Sequence, residues 1–165
     1  MSRFARISTL VGGVWVAACL ASSLAGAAEH KMFKIRQDAP TLTQVDVGQS
    51  GASHGDMLAF EAGLTLEDGS KGLMSGILIT VDLPDGADLF EDRVGQIVFN
   101  VGSGNEIVVA GISNYAKDAA EMNAGQPQVR AVIGGTGQYI GARGQVTTRR
   151  NPDGSYEHAF ELIDD

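Results

Sequence analysis

From Asp56 to Leu66 the chain reads D-M-L-A-F-E-A-G-L-T-L. In an extended strand Leu58, Phe60, Ala62, Leu64 and Leu66 share one face, and Met57, Ala59, Glu61, Gly63 and Thr65 share the other. A helix cannot use this pattern, because its side chains repeat every 3.6 residues rather than every two. Glu67-Asp68-Gly69-Ser70 follows, and Asp-Gly is a hairpin signal. Gly72 to Asp82 is predicted as the return strand, with Leu73, Ile77, Ile79 and Val81 on one side. Pro84-Asp85-Gly86 ends it.

The same reading extends along the chain. Strands are predicted at Met32 to Ile35, less sharply around Thr41 to Val47, then at Val94 to Val101 and Glu106 to Ile112. Gly102-Ser103-Gly104-Asn105 joins the last two. Ser113 to Pro127 reads as a longer loop with a helical turn at Ala116 to Met122. Val129 to Ile133, Ala142 to Arg149 and Ser155 to Ile163 complete the set, and Asn151-Pro152-Asp153-Gly154 is the final turn. About eight short strands joined by tight turns predict an all-β meander. Eight antiparallel strands close into a barrel, which removes exposed edges and leaves room for side chains or one small ligand. The 22 glycines against 4 prolines fit many tight turns, and Gly63, Gly76, Gly111 and Gly144 inside strands fit sharp bending.

The first residues follow a different logic. Arg3 and Arg6 form a short basic segment, Ile7 to Leu24 is uncharged and mostly apolar, and Ala25-Gly26-Ala27 offers small residues for cleavage. This predicts a signal peptide over 1–27 and a single barrel domain over 28–165, secreted or periplasmic. Val16-Ala17-Ala18-Cys19 also resembles a lipobox, which leaves open a lipoprotein anchored through Cys19. Without that lipid, no membrane association is expected. Cleavage removes Cys19, the one cysteine, so the mature chain has neither a disulfide nor a thiol nucleophile. It also removes two arginines and no acid, taking the formal net charge from −8 to −10. A chain this acidic does not attract nucleic acid, and it mildly disfavours anionic ligands.

Several chemistries lack their residues. His30, His54 and His158 are scattered, with no cysteine partner, so no metal site is predicted. Asp85, Asp88, Glu91 and Asp92 read as a solvated acidic loop rather than a calcium site. There is no G-x-S-x-G nucleophile motif. Gly135-x-Gly137 with Gly141 is not a dinucleotide fingerprint, because the chain after it holds only strands and a turn, and no βαβ unit.

That stretch, Gly134-Gly135-Thr136-Gly137-Gln138-Tyr139-Ile140-Gly141-Ala142-Arg143-Gly144, resembles the glycine signature shared by allene oxide cyclases and dirigent proteins. Gly55-Asp56-x-Leu58-x-Phe60, Lys71 to Gly76, Ile107 to Gly111 and Tyr156 to Phe160 resemble other strands of that superfamily, in family order. The resemblance implies an eight-stranded antiparallel β-barrel of the allene oxide cyclase/dirigent type. It implies a cofactor-free barrel that guides cyclisation or stereochemistry of a small apolar or phenolic molecule, either as an isomerase (an intramolecular cyclase) or as a stereochemistry-directing protein. It also implies a dimer or trimer. The chain departs from the family at Lys34, Arg36, Ala62 and Leu78, where the cyclases carry polar pocket residues, and at Gln138, where many dirigents carry Asp.

Four residues remain as site candidates. Asp56 would act as acid or base, with a pKa raised if buried. Arg143 would hold an anionic oxygen, and Tyr139 or Tyr156 would donate a hydrogen bond. Two other readings stand beside this one: a non-catalytic binding barrel, and a structural or interaction module with a packed interior. A cavity of a few hundred cubic ångströms separates the ligand-binding readings from the last.

Overall fold

The computed structural model describes residues 29–48, 50–81, 90–116 and 119–164. The predicted signal peptide and Cys19 lie outside them, as do Asp85 and Asp88. The described chain is almost entirely β: β1 Glu29–Gln37, β2 Thr41–Val45, β3 Met57–Leu66, β4 Lys71–Thr80, β5 Phe90–Asn100, β6 Glu106–Ala116, β7 Gln128–Gly135, β8 Gly144–Arg150 and β9 Tyr156–Asp164. All neighbours pair antiparallel, in the order β1-β9-β8-β7-β6-β5-β4-β3-β2, and β1 also pairs with β3. That last pairing closes the sheet.

The barrel has eight staves, because β1 and β2 are two halves of one. Gln37 pairs with Leu64 and Thr41 with Glu61, so four steps on this stave face three on β3. The extra residue falls at Asp38-Ala39-Pro40, where proline cannot donate to a ladder. Before the break the stave pairs with both β9 and β3; after it, β2 keeps only β3.

Alternation sorts the side chains as predicted on β3, where Leu58, Ala62 and Leu64 are buried. On β4 the inward positions are Met74 and Leu78, while Leu73 and Ile77 face out. β6 runs on to Ala116, four residues past its predicted end at Ile112, and residues 119–122 carry no helical turn.

The two ends of the barrel differ. At the closed end the β7–β8 connection folds over the β5–β6 turn. Thr136 donates from its amide to Glu106 O and from its hydroxyl to Gly104 O, and the Gln138 amide donates to Asn105 Oδ1. Gly135 and Gly137 are required here. A Cβ at Gly135 would overlap Glu106 O, and one at Gly137, whose φ is +59°, would overlap Asn105 Oδ1. The single turn of 3-10 helix at Gly137–Tyr139 seats the Tyr139 ring in the apolar core. The glycine signature is therefore the barrel's floor. Above it pack Ile35, Leu64, Met74, Phe99, Ile107, Val109, Val132, Val146, Phe160 and Leu162, all buried. Phe160 lies edge-on to Phe99 and stacks on Phe33.

The outer walls also differ. On β1 and β9, Lys34 pairs with Glu157 and His30 with Glu161. The outer face of β4 to β7 has a centre without charge. Ile79, Val94 and Ile112 form one row, and Ile77, Gln96, Ala110 and Ala131 form the next.

Candidate functional site

Five of the strands that supply the apolar floor continue towards the open end with inward positions that turn polar. Ile35 gives way to Gln37, Ile97 to Arg93, Val132 to Arg130, Val146 to Thr148, and Phe160 to His158. All five polar residues are buried. A buried polar group must find a partner; Gln37, Thr148 and His158 find one another, and Arg93 and Arg130 meet Tyr115.

His158 lies at the centre. Its Nε2 is 2.8 Å from Gln37 Oε1 and its Nδ1 is 2.9 Å from Thr148 Oγ1. With Nε2–H donating to the amide oxygen, Nδ1 of the neutral ring accepts from the threonine hydroxyl. Burial, aided by the nearby Arg130 charge, pushes the His158 pKa down to about 3, so the ring is neutral. Arg130 Nη2 donates to Tyr115 Oη at 3.0 Å, while its Nε has no hydrogen-bond partner among the described residues. The Arg93 guanidinium lies 4.5 Å from the centre of the same Tyr115 ring.

A segment from the β6–β7 connection covers this cluster. Met122 is buried among Leu58, Leu78, Tyr115 and Tyr156. Arg93 Nη2 donates to Ala119 O at 2.8 Å. Glu121 is held twice, by Arg150 Nη2 at 2.8 Å and by the Tyr156 hydroxyl at 3.1 Å. Burial and the Glu121 charge push the Tyr156 phenol up, so it stays a donor. The cavity left beneath is about 50 Å³, bounded by Gln37, Phe60, Met122, Arg130, Tyr156 and His158 among others. That is room for about one or two waters and no more. A shallow groove of about 210 Å³ lies outside, between the β2–β3 loop and Arg93, and shares Leu58 and Leu78 with the cavity.

The four candidates from the sequence do not converge. Tyr156 is in the covered cluster. Asp56 lines the outer groove. Its carboxylate accepts from the Val47 and Ser53 amides, at 2.8 and 2.7 Å, and from the Ser53 hydroxyl. The condition for a raised pKa, burial, is not met: these donors lower the Asp56 pKa, and its carboxylate staples the loop. Tyr139 and Arg143 sit at the closed end, a full strand length from Tyr156. Tyr139 packs on Phe33, with its phenol pushed up by burial. Arg143 is exposed, and its backbone carbonyl accepts from the Ile163 amide. Sequence reasoning missed Gln37, Arg93, Arg130, Thr148 and His158. Their signal was a polar residue on the inward face of an otherwise apolar alternation, repeated at the same end of five strands.

No protein-family model and no curated protein matches the chain in sequence. Solved structures do match in shape. A pyocyanin demethylase superposes with a TM-score of 0.61 at 19% identity, over 82% of this chain and all of the other. A heme-binding cyclase that catalyses a [4 + 2] cycloaddition in neoabyssomicin biosynthesis gives 0.62 at 14%, over 85% of this chain and 66% of the other. A Diels–Alderase from Streptomyces koyangensis gives 0.56 at 11%, over 85% and 71%.

The chain shares the antiparallel β-barrel fold of these structures. In this barrel, the fold's interior is divided into an apolar floor and a polar, covered mouth.

Proposed function

We propose that this barrel binds a small apolar or phenolic molecule in its open half and guides its cyclisation or fixes its stereochemistry, without a cofactor. One observation carries the reading: buried polar groups face a cavity with an apolar floor, under a segment held by side-chain contacts that can be broken. Phe60, Met74 and Ile97 would hold the molecule in one conformer. Arg130 and the Tyr156 hydroxyl would stabilise charge that develops as bonds move, in a place screened from bulk water. Catalysis of this type rests on shape and fixed dipoles. The cycloaddition enzymes that share the fold support the reading.

The cavity's size favours a second reading. At about 50 Å³ the interior is nearly filled, as in a packed structural module. On the first reading the segment around Met122 must swing out to admit a ligand. Native mass spectrometry of residues 28–165, purified gently from the native host, separates the two. A reproducible added mass from one small molecule, turned over in a subsequent assay, supports the ligand barrel. A clean mass that host extracts leave unchanged supports the packed module.

Export through a signal peptide over residues 1–27 is part of the proposal, with a periplasmic or secreted barrel, or one anchored through Cys19. So is a dimer or trimer. Copies of so acidic a chain would meet on the uncharged wall of β4 to β7, where Ile112, Val129 and Ile133 are exposed. Sedimentation tests this: Ile112→Lys should yield monomers where the parent chain associates.

A further inference from the structure

The interior carries the opposite charge to the exterior. The whole chain has a formal net charge of −8, yet the charged groups bordering the cavity are Arg130 and Glu121. Glu121 is already taken by Arg150 and Tyr156. His158 is neutral. Arg130 is only 4% exposed, and among the described residues no carboxylate pairs with it. Among the described residues its hydrogen bond runs to a phenol, and its Nε is without a partner. On the neighbouring strand the Ser113 hydroxyl is also buried and, among the described residues, without a partner. A guanidinium held this deep without a counter-charge is costly. A ligand that supplies the negative charge relieves that cost, and a planar, forked donor suits an oxyanion.

We infer that the molecule taken by the barrel carries an anionic oxygen, as a carboxylate, phenolate or enolate, and that this oxygen seats on Arg130 while the rest lies on the apolar floor. The inference rests on the ligand-barrel reading and narrows it. It also reverses the expectation, drawn from overall charge, that anions are disfavoured. A buried contact outweighs screened surface charges.

Benzoate and benzamide provide the test, being alike in shape and different in charge. Titration calorimetry on residues 28–165 should show benzoate binding at least tenfold more tightly than benzamide. Arg130→Met, which keeps much of the apolar stem, should erase that preference, and Arg130→Lys should restore part of it. The comparison in the unsubstituted protein stands even if Arg130→Met fails to fold. Equal affinity for the two probes overturns the anion inference alone and leaves the ligand barrel intact. A benzoate preference that survives in folded Arg130→Met also overturns it. If neither probe binds, even to a Met122→Ala chain whose covering segment has lost its plug, the inference and the ligand-barrel reading fall together.

Discussion

The two halves of the barrel interior use the same strands and the same alternation for different ends. The closed half is packed with Phe99, Ile107, Val109, Phe160 and Leu162. The open half takes Gln37, Arg93, Arg130, Thr148 and His158 from those strands and covers them with Met122. Burial stabilises the first half by removing apolar surface from water. In the second, burial imposes desolvation costs that hydrogen bonds only partly offset. The difference places stability at one end and leaves the other able to open.

Truncation should expose this difference most strongly. Phe160→Ala removes a ring packed between Phe33 and Phe99 and leaves a cavity the closed floor cannot collapse into. We expect a loss of about 3–5 kcal/mol in urea unfolding. Met122→Ala removes a side chain of similar burial from a segment that can settle inward, and should cost about 2 kcal/mol, at the low end for a buried methionine. If the two losses are equal, the covering segment is as much core as the floor is.

Acid should act on the open half first. His158 has its pKa held at about 3 in the folded chain, against an ordinary value of 6.5. The unfolded chain therefore binds the extra proton between those values, and stability falls as pH drops below 6.5. The slope approaches about 1.4 kcal/mol per pH unit, or about 2 kcal/mol lost by pH 5. His158→Gln should flatten that part of the curve in a pH series of denaturation midpoints. An unchanged slope would mean the ring is solvated before the chain unfolds.

A smaller effect is expected where the segment is latched. Glu121→Gln keeps the shape but removes the charge that Arg150 and Tyr156 hold. Local opening should become easier by about 1 kcal/mol. Amides of residues 119–123 should then exchange with solvent several times faster, while those of Phe99 and Val109 should not change.

The same division explains what the sequence disclosed. Strands, turns and barrel class were legible because a period of two, Asp-Gly turns and intrastrand glycines are local signals. The end of β6 was less so. Ser113 and Asn114 look like loop residues, but Ser113 faces the interior and pairs across to Arg93, so the strand continues. The polar cluster was hidden for a different reason. Gln37 and His158 are 121 positions apart and meet only because β1 and β9 pair. No spacing along the chain reveals that contact. The inward register does, once the barrel is closed.

Tyr139 and Arg143 lie at the opposite, closed end. They belong to the stretch that most clearly names the fold, and that stretch builds the floor. Gly135 and Gly137 let the β7–β8 connection reach Glu106 and Asn105, and Tyr139 fills the space above them. The stretch shapes the floor, whatever the chemistry at the far end. Arg143→Ala should then leave benzoate affinity and any turnover unchanged, whereas Arg130→Met should remove the preference for the anion. Calorimetry on the two variants side by side decides the matter. A loss on Arg143→Ala as large as that on Arg130→Met would mean that the closed end, not the open one, receives the ligand.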